Sequence, residues 1–157
     1  VACLACRCLR LPLFRRIAAT QEYRAVVRTA RGVREVQWEN TNKLLRREGF
    51  LGLKTGITAT AGPCLAAAYS FRGRTFVSVV LRAPKLSSRF KETRVLLFCA
   101  MSRLFGDLSE EEYIQLRALR RENYELDSDY SDEEEEFCYG NRTREEHQRR
   151  CEILDEL

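Results

Sequence analysis

The sequence is poor in histidine and in long apolar runs. It contains one histidine, His147, and an odd number of cysteines, seven. Cys3 and Cys6 have the C-x-x-C spacing, but no second pair follows at a distance suited to zinc, so we predict no metal and no cofactor. No apolar run is long enough to cross a membrane as a helix. The cysteines favour a reducing compartment or an incomplete chain and leave the localisation open.

Acidic residues are scarce in the first two thirds of the chain and dense afterwards. Residues 1–106 contain 20 Lys and Arg against 5 Asp and Glu, whereas residues 107–157 contain 7 against 18. The basic part therefore predicts an anionic partner or a contact with the chain's own acidic part. Nucleic acid is not the favoured partner, because the arginines are scattered over predicted strands and helices without a nucleic-acid-binding signature.

The charge pattern divides the chain into four predicted segments. Residues 1–106 form a domain and residues 107–126 a helix. Residues 127–141 form an acidic disordered linker, and residues 142–157 a charged helical tail. The stretch 122–136 carries nine acids and no base, which predicts disorder and favours a protein partner for this tail.

The hydrophobic pattern of the first segment predicts an α+β fold in which helices pack on an antiparallel sheet. The predicted elements are helices over 2–11 and 14–19, strands over 22–28 and 33–38, turns at 40–42 and 44–45, a strand around 52–58, strands over 64–71 and 75–83, and a helix over 86–105. Ser87 or Ser88 is expected to cap the last of these helices. Five positions have the pattern of packing residues in the first two helices: Leu4, Leu9, Leu11, Leu13 and Phe14. We also predict that Trp38 packs rather than binds a ligand.

The strand around 52–58 carries the clearest chemical signal. Gly52 and Gly56 bracket Lys54 and Thr55, so a fixed positive charge and a hydroxyl lie beside an unhindered backbone. An edge strand of this kind can hold a carbonyl oxygen or an extended peptide. The alternative is a surface strand with a solvated lysine.

Four stretches in a fixed order strengthen the functional interpretation. They are Asn-Thr-Asn at 40–42, Lys-Thr-Gly at 54–56, the glycine-proline break and apolar run at 61–68, and the helix start at 89–97. Over roughly residues 2–105 this order resembles the C-terminal part of the catalytic domain of D-alanyl-D-alanine carboxypeptidases, which are S11 serine peptidases and low-molecular-mass penicillin-binding proteins. Class A β-lactamases share Lys-Thr-Gly but lack the Asn-Thr-Asn lead-in. The resemblance implies a partial penicillin-binding-protein or β-lactamase-like fold and a peptide substrate ending in D-Ala-D-Ala.

Three residues of the strand receive catalytic roles from this resemblance. Lys54 would hold the substrate carboxylate and help proton transfer near the serine. Thr55 would hydrogen-bond the same carboxylate. Gly56 would keep the face of the strand clear.

Three further residues would bind substrate. The resemblance makes the backbone N–H of Ile57 one of two oxyanion donors. It also implies that Thr58 supports the edge of the strand. The Arg89 guanidinium would reach the substrate carboxylate. The alternative for Arg89 is a structural pair with Glu92 on its own helix.

Serine is absent where the family carries its nucleophile. The first serine in the chain is Ser70, after the Lys-Thr-Gly strand, whereas the family's Ser-x-x-Lys and Ser-x-Asn motifs precede that strand. Residues 88–91 match Ser-x-x-Lys in letters but fall where the family has its C-terminal helix, so we interpret them as coincidence. We therefore expect a truncated serine-type D-Ala-D-Ala carboxypeptidase that is inactive alone.

Two other functions stay open. One is a non-catalytic remnant that binds peptides or a protein and has an acidic interaction tail. The other is a basic nucleic-acid-binding module that its own tail inhibits. The latter predicts salt-dependent binding that strengthens when residues 107–157 are removed.

Overall fold

In the computed structural model, which describes residues 1–120, two helices come first, five antiparallel strands and a 3₁₀ helix follow, and two helices come last. The elements are α1 (Ala2–Cys8), α2 (Pro12–Ala18), β1 (Glu22–Thr29), β2 (Gly32–Glu39), a 3₁₀ helix (Lys43–Arg46), β3 (Phe50–Gly56), β4 (Cys64–Phe71), β5 (Arg74–Val80), α3 (Ser88–Leu104) and α4 (Glu110–Arg120). The predicted α+β class is confirmed. The linker 127–141, the tail 142–157 and the end of the helix predicted over 107–126 lie outside the described residues.

The central sheet has the order β3-β4-β5, and β1 pairs with β2 in a separate hairpin. Both pairings in the central sheet are antiparallel, and the second closes at the turn formed by Arg72 and Gly73. The predicted hairpin of residues 64–83 is thereby confirmed, although its second strand ends at Val80. Among residues 1–120, β3 pairs only with β4 and is an edge strand.

The residues of β4 alternate between two hydrophobic clusters on opposite faces of the sheet. Leu65, Ala67 and Tyr69 belong to the larger cluster, which includes residues of α3 and α4 and which we call the α3-side core. Ala66 and Ala68 face the smaller cluster with Ala5 of α1 and Leu9, the residue that follows α1, and we call this cluster the α1-side core. Successive side chains of a strand point to opposite faces. The apolar run is therefore continuous because helices cover both faces.

The first helix is shorter than the sequence pattern indicates, and both of the first two helices are less buried. The first ends at Cys8, and the second begins at Pro12, where a ring without an N–H fits the first helical position. Leu9 is buried and Phe14 packs against the α1-side core. Three of the expected packing residues are instead mostly exposed: Leu4, Leu11 and Leu13. Their prediction was wrong because helices of this length contact the sheet through only one side.

The β1–β2 hairpin has no buried residue in either strand. Trp38 stacks on Tyr23 with the ring centroids 6.1 Å apart, but about half of Trp38 remains exposed. It therefore packs on its cross-strand neighbour within the hairpin.

Helix α4 completes the α3-side core. Leu116 and Leu119 are buried in the same cluster as Leu44 and Phe50. The helix begins with reciprocal bonds between Ser109 and Glu112, which form a capping box. The boundary after residue 106 therefore does not separate two cores in the described part. The four-segment division remains a prediction.

Arg72 connects the β4–β5 turn to α4. Its Nε and Nη2 donate to the two carboxylate oxygens of Glu112, both at 2.6 Å, and its Nη1 donates to Asp107 at 3.0 Å. This two-pronged contact lowers the pKa of Glu112 from 4.5 to about 2, with the backbone N–H of Ser109 adding to the effect. The same contacts raise the pKa of Arg72 further above its usual range.

Candidate functional site

The backbone of β3 is shaped by one close approach and a bulge. Gly52 has φ +92°, and a Cβ at this position would lie 2.1 Å from the carbonyl oxygen of Ala18 at the end of α2. The ladder with β4 shifts register between Phe50 and Gly52. Glycine is therefore required here by both conformation and packing.

Leu53 also has a positive φ, +108°, which is strained for a residue with a side chain. Its register partner Ala67 belongs to the α3-side core, but Leu53 packs in the α1-side core. The unusual φ therefore turns Leu53 to the other face just before Lys54. Strain of this kind costs about 1–3 kcal/mol and persists only where the surroundings hold it.

Lys54 is exposed on the outer part of β3, and its ammonium group donates to the carbonyl oxygen of Thr55. This contact holds the amine beside the strand backbone. A carboxylate is a stronger acceptor for an ammonium group than a neutral carbonyl. An anionic ligand at this strand would therefore compete well for the amine.

Thr55 is buried, and its hydroxyl lies 2.5 Å from the hydroxyl of Thr41. The Asn-Thr-Asn segment holds Thr41 in place from both sides. The amide of Asn40 donates to the carbonyl of Thr20 at 2.9 Å, and the Asn42 side chain caps the 3₁₀ helix by accepting from the N–H of Leu44. The segment thus connects the end of α2 to the candidate strand.

Thr41 is the residue that sequence reasoning did not assign to the site. The segment 40–42 was interpreted as turn chemistry, which explains its two asparagines. In the sequence, the only indication is that the Thr41 hydroxyl lies between two asparagines that fix the backbone. Nothing near Thr41 indicates that its hydroxyl contacts Thr55, fourteen residues later.

The last residue of β3, Gly56, has open space where a Cβ would stand, and its φ is not in the left-handed region. The face of the strand is therefore clear at this point, as the sequence predicts, but alanine would also fit. Ile57 follows the strand and is about a third exposed. The Thr58 hydroxyl accepts from the N–H of Ala61 and closes the following turn, and its support of the strand edge stays a prediction.

Arg89 reaches the same end of β3 from the start of α3. Its Nη1 donates to the carbonyl of Gly56 at 3.5 Å, and its guanidinium lies 5.0 Å from the ring centroid of Phe90. Only 4% of Arg89 is exposed. Ser87 occupies the N-cap position of α3 without a side-chain cap bond, so the predicted serine cap is wrong.

A third cation, Arg82, lies at this end of the sheet. Its N–H donates to the sulfur of Cys64, which is the register partner of Gly56, at 3.5 Å. Arg82 also has a positive φ, +55°. Lys54 and Arg89 thus place two positive side chains at the end of β3, which suits a negatively charged group.

Residues 1–120 contain no group of three His, Cys, Asp or Glu side chains placed to hold a metal ion. The five cysteines in this range, among them Cys64, are all thiols rather than disulfides. No helix among these residues has the length and apolar character needed to span a membrane.

A family model of D-alanyl-D-alanine carboxypeptidases, peptidase S11, matches residues 1–85. This match covers more than half of the 157 residues. The chain belongs to the S11 peptidase family. The match includes β3 and the turn after it, and it ends just before Arg89. The predicted resemblance is confirmed for the family, while its extension over α3 stays a prediction.

Solved structures of penicillin-recognising enzymes are similar to parts of the S11 chain. The DD-transpeptidase of Streptomyces K15 is 33% identical over 52% of this chain and 32% of its own, with a TM-score of 0.48. Penicillin-binding protein D2 from Listeria monocytogenes, in a cefotaxime-bound form, is 32% identical over 57% of this chain and 34% of its own, with a TM-score of 0.46. The chain thus spans about a third of these structures. No curated protein matches it.

Proposed function

We propose that this S11 chain contributes the carboxylate-binding strand of a D-Ala-D-Ala peptidase and binds the peptide terminus without cleaving it. The observation that carries the proposal is that Lys54 and Arg89 each donate to a backbone carbonyl at the end of β3, those of the consecutive residues Thr55 and Gly56. In β3, Thr55 lies between Lys54 and Gly56, the residue whose carbonyl accepts from Arg89. Two cations beside a hydroxyl suit a peptide carboxylate, because charge-assisted bonds are about twice as strong as neutral ones.

The proposal assigns no hydrolysis to this chain. Acyl transfer by the family's route needs a serine activated by a lysine, and no serine precedes β3 in the sequence. The Ser88 and Lys91 pair of α3 is excluded from this role in the proposal, since Ser88 opens the helix that presents Arg89.

Binding is tested by titrating the full chain with an acylated dipeptide, N-acyl-D-Ala-D-Ala, while amide signals of residues 54–57 are followed by NMR. We expect weak, millimolar binding that is lost when the ligand's C-terminal carboxylate is replaced by an amide. Lys54→Gln should weaken binding about fivefold or more, whereas Lys85→Gln removes an exposed lysine outside the strand and should leave it unchanged. Equal binding of the acid and the amide would contradict the proposal.

Catalysis is tested separately by incubating the same chain with a fluorescent penicillin and measuring its mass. We expect the mass to stay unchanged. A covalent adduct on any serine would overturn the non-catalytic part of the proposal, and peptide mapping would show whether Ser88 is the nucleophile. This outcome would leave the carboxylate-binding role intact.

A further inference from the structure

The outer edge of β1 is open. Among residues 1–120, β1 pairs only with β2, and neither strand of this hairpin contains a buried residue. A two-stranded hairpin is only marginally stable by itself in water, and further strands stabilise it. The strand has no proline, glycine or bulge, which are common protections of an edge, so its charged side chains alone decide what can pair with it.

The backbone hydrogen bonds of the hairpin show which residues of β1 face the open edge. The N–H of Asn40 donates to the carbonyl of Gln21 at 2.7 Å, so Gln21 directs its carbonyl toward the side of β2. These directions alternate along an antiparallel strand. The next residue and every second one after it therefore direct both N–H and C=O outward: Glu22, Arg24, Val26 and Arg28. An added antiparallel strand would bond to these four residues.

The charges on these residues are complementary to those of a second copy of the same strand. Two antiparallel copies of β1 can pair around a two-fold axis beside Ala25. This register places Glu22 of each copy opposite Arg28 of the other, so two opposite-charge pairs form. Opposite charges at facing positions of two strands stabilise their pairing, and like charges destabilise it.

The neighbouring registers are disfavoured by the same charges. Moving the axis by one residue keeps the outward groups in register but changes the facing side chains. An axis beside Arg24 places the two copies of Arg24 opposite each other. An axis beside Val26 places Arg24 of each copy opposite Arg28 of the other. Since both alternatives juxtapose arginines, the sequence of β1 selects the register centred on Ala25.

The side chains that would meet in this register are accessible. Glu22 and Arg28 are exposed. Among residues 1–120, Arg28 takes part in no ion pair, and the Glu22 carboxylate accepts a long bond of 3.3 Å from Gln37. The register also places Tyr23, which is 61% exposed, opposite Val27 of the second copy. Pairs of an aromatic and a β-branched residue add to the stability of a sheet.

We propose that β1 pairs with β1 of a second copy of this chain and joins the two hairpins into a four-stranded antiparallel sheet. The pairing gives hydrogen-bond partners to the outward N–H and C=O groups of β1. It is isologous and therefore closes at the dimer. The contact is small, so the dimer forms reversibly. Strand β3 takes no part, and the proposal does not rest on its proposed function.

Sedimentation equilibrium of the full chain measures the association. A reducing agent keeps exposed thiols, such as those of Cys3 and Cys6, from cross-linking the copies. Between about 1 μM and about 1 mM we expect a reversible change from monomer to dimer. A chain that stays monomeric over this range, or that forms larger species, would overturn the proposal.

Charge reversal tests the register. Arg28→Glu places two pairs of glutamates opposite each other and should weaken the dimer about tenfold. The double variant with Glu22→Arg and Arg28→Glu restores opposite charges and should return the dissociation constant to within about twofold of wild type. Arg34→Glu makes the same change of net charge on β2 and should have little effect. Equal weakening by Arg28→Glu and Arg34→Glu, or no recovery in the double variant, would contradict the proposed pairing.

Proline substitution tests which edge of the hairpin is used. Val26→Pro removes an outward N–H of β1 and leaves the ladder with β2 intact, because proline is tolerated where the N–H faces away from the neighbouring strand. It should abolish the dimer. Gln37→Pro makes the matched change at the outer edge of β2 and should leave the dimer in place, while circular dichroism checks that both variants are folded. Loss of the dimer in Gln37→Pro but not in Val26→Pro would assign the contact to β2 and overturn the proposal.

Discussion

The two ends of the three-stranded sheet are built from the same strands, but they are held differently. At the turn end, formed by Gly49, Phe50 and residues 71–74, aromatic rings and ion pairs close the structure. Phe50 meets Tyr69 edge-on at 5.0 Å, and Phe71 meets Phe105 at 5.5 Å. At the site end, formed by residues 54–56 and Cys64, the strand faces open space and is bordered by cations.

This difference separates residues needed for folding from residues free to meet a ligand. At the turn end the side chains contact one another, so substitutions there should lower the free energy of unfolding. The site end has an edge strand, a clear glycine and two positive side chains, so changes there should alter binding more than folding. Three predictions test this contrast.

The largest expected effect comes from Gly49, just before β3, and is compared with that of Gly56, the last residue of the strand. A Cβ at Gly49 would lie 2.5 Å from the ring of buried Tyr69, and its φ is +85°, so Gly49→Ala should reduce the free energy of unfolding by about 3 kcal/mol. Gly56→Ala meets no neighbour and should change it by less than about 1 kcal/mol. Urea unfolding of both variants measures the difference. Similar losses at the two positions would remove the contrast between the ends.

A smaller effect is expected where the site end is tied to the Asn-Thr-Asn segment. The hydroxyl contact between Thr41 and Thr55 should give a coupling energy of about 1 kcal/mol. A double-mutant cycle with Thr41→Val and Thr55→Val, measured by urea unfolding, isolates this energy from the cost of each substitution. Additive losses would show that the two hydroxyls do not depend on each other.

The smallest effect is expected from the ion pair at the turn end, because both partners are partly exposed. The pKa of Glu112 is lowered from 4.5 to about 2 by Arg72, so the stabilisation is complete above about pH 4.5 and is lost as the pH falls toward 2. The unfolding midpoint of wild type should therefore decrease over this window more than that of Glu112→Gln. Glu110→Gln, in the same helical turn, serves as the control and should follow wild type.

Local features were predictable from the sequence, because they depend on neighbours in the chain. The hairpin around Arg72 and Gly73 and the strand bearing Lys54 follow from apolar runs separated by turn residues. The structure also joins Arg89 to Gly56, while the contact with the substrate carboxylate that the family resemblance implies for Arg89 stays a prediction.

Features that depend on distant contacts were not predictable. The carboxylates that bind Arg72 lie 35 and 40 residues away, and nothing near Arg72 in the sequence indicates them. The positive φ of Leu53 conflicts with the preference of leucine and arises only where α1 offers a place for its side chain. The exposure of Leu11 and Leu13 likewise depends on how little of the sheet α2 covers.

The contribution of α4 to the α3-side core has a consequence for the order of folding. Leu116 and Leu119 belong to the same cluster as Leu44 and Phe50. The apolar side chains of β3 and β4 are therefore fully buried only after the chain has closed the long loop that brings α4 to them. Such closure costs entropy before its contacts form, and proteins with many non-local contacts fold more slowly. During synthesis, the strand that carries Lys54 is made well before α4. It should therefore wait in a partly packed state until α4 has left the ribosome.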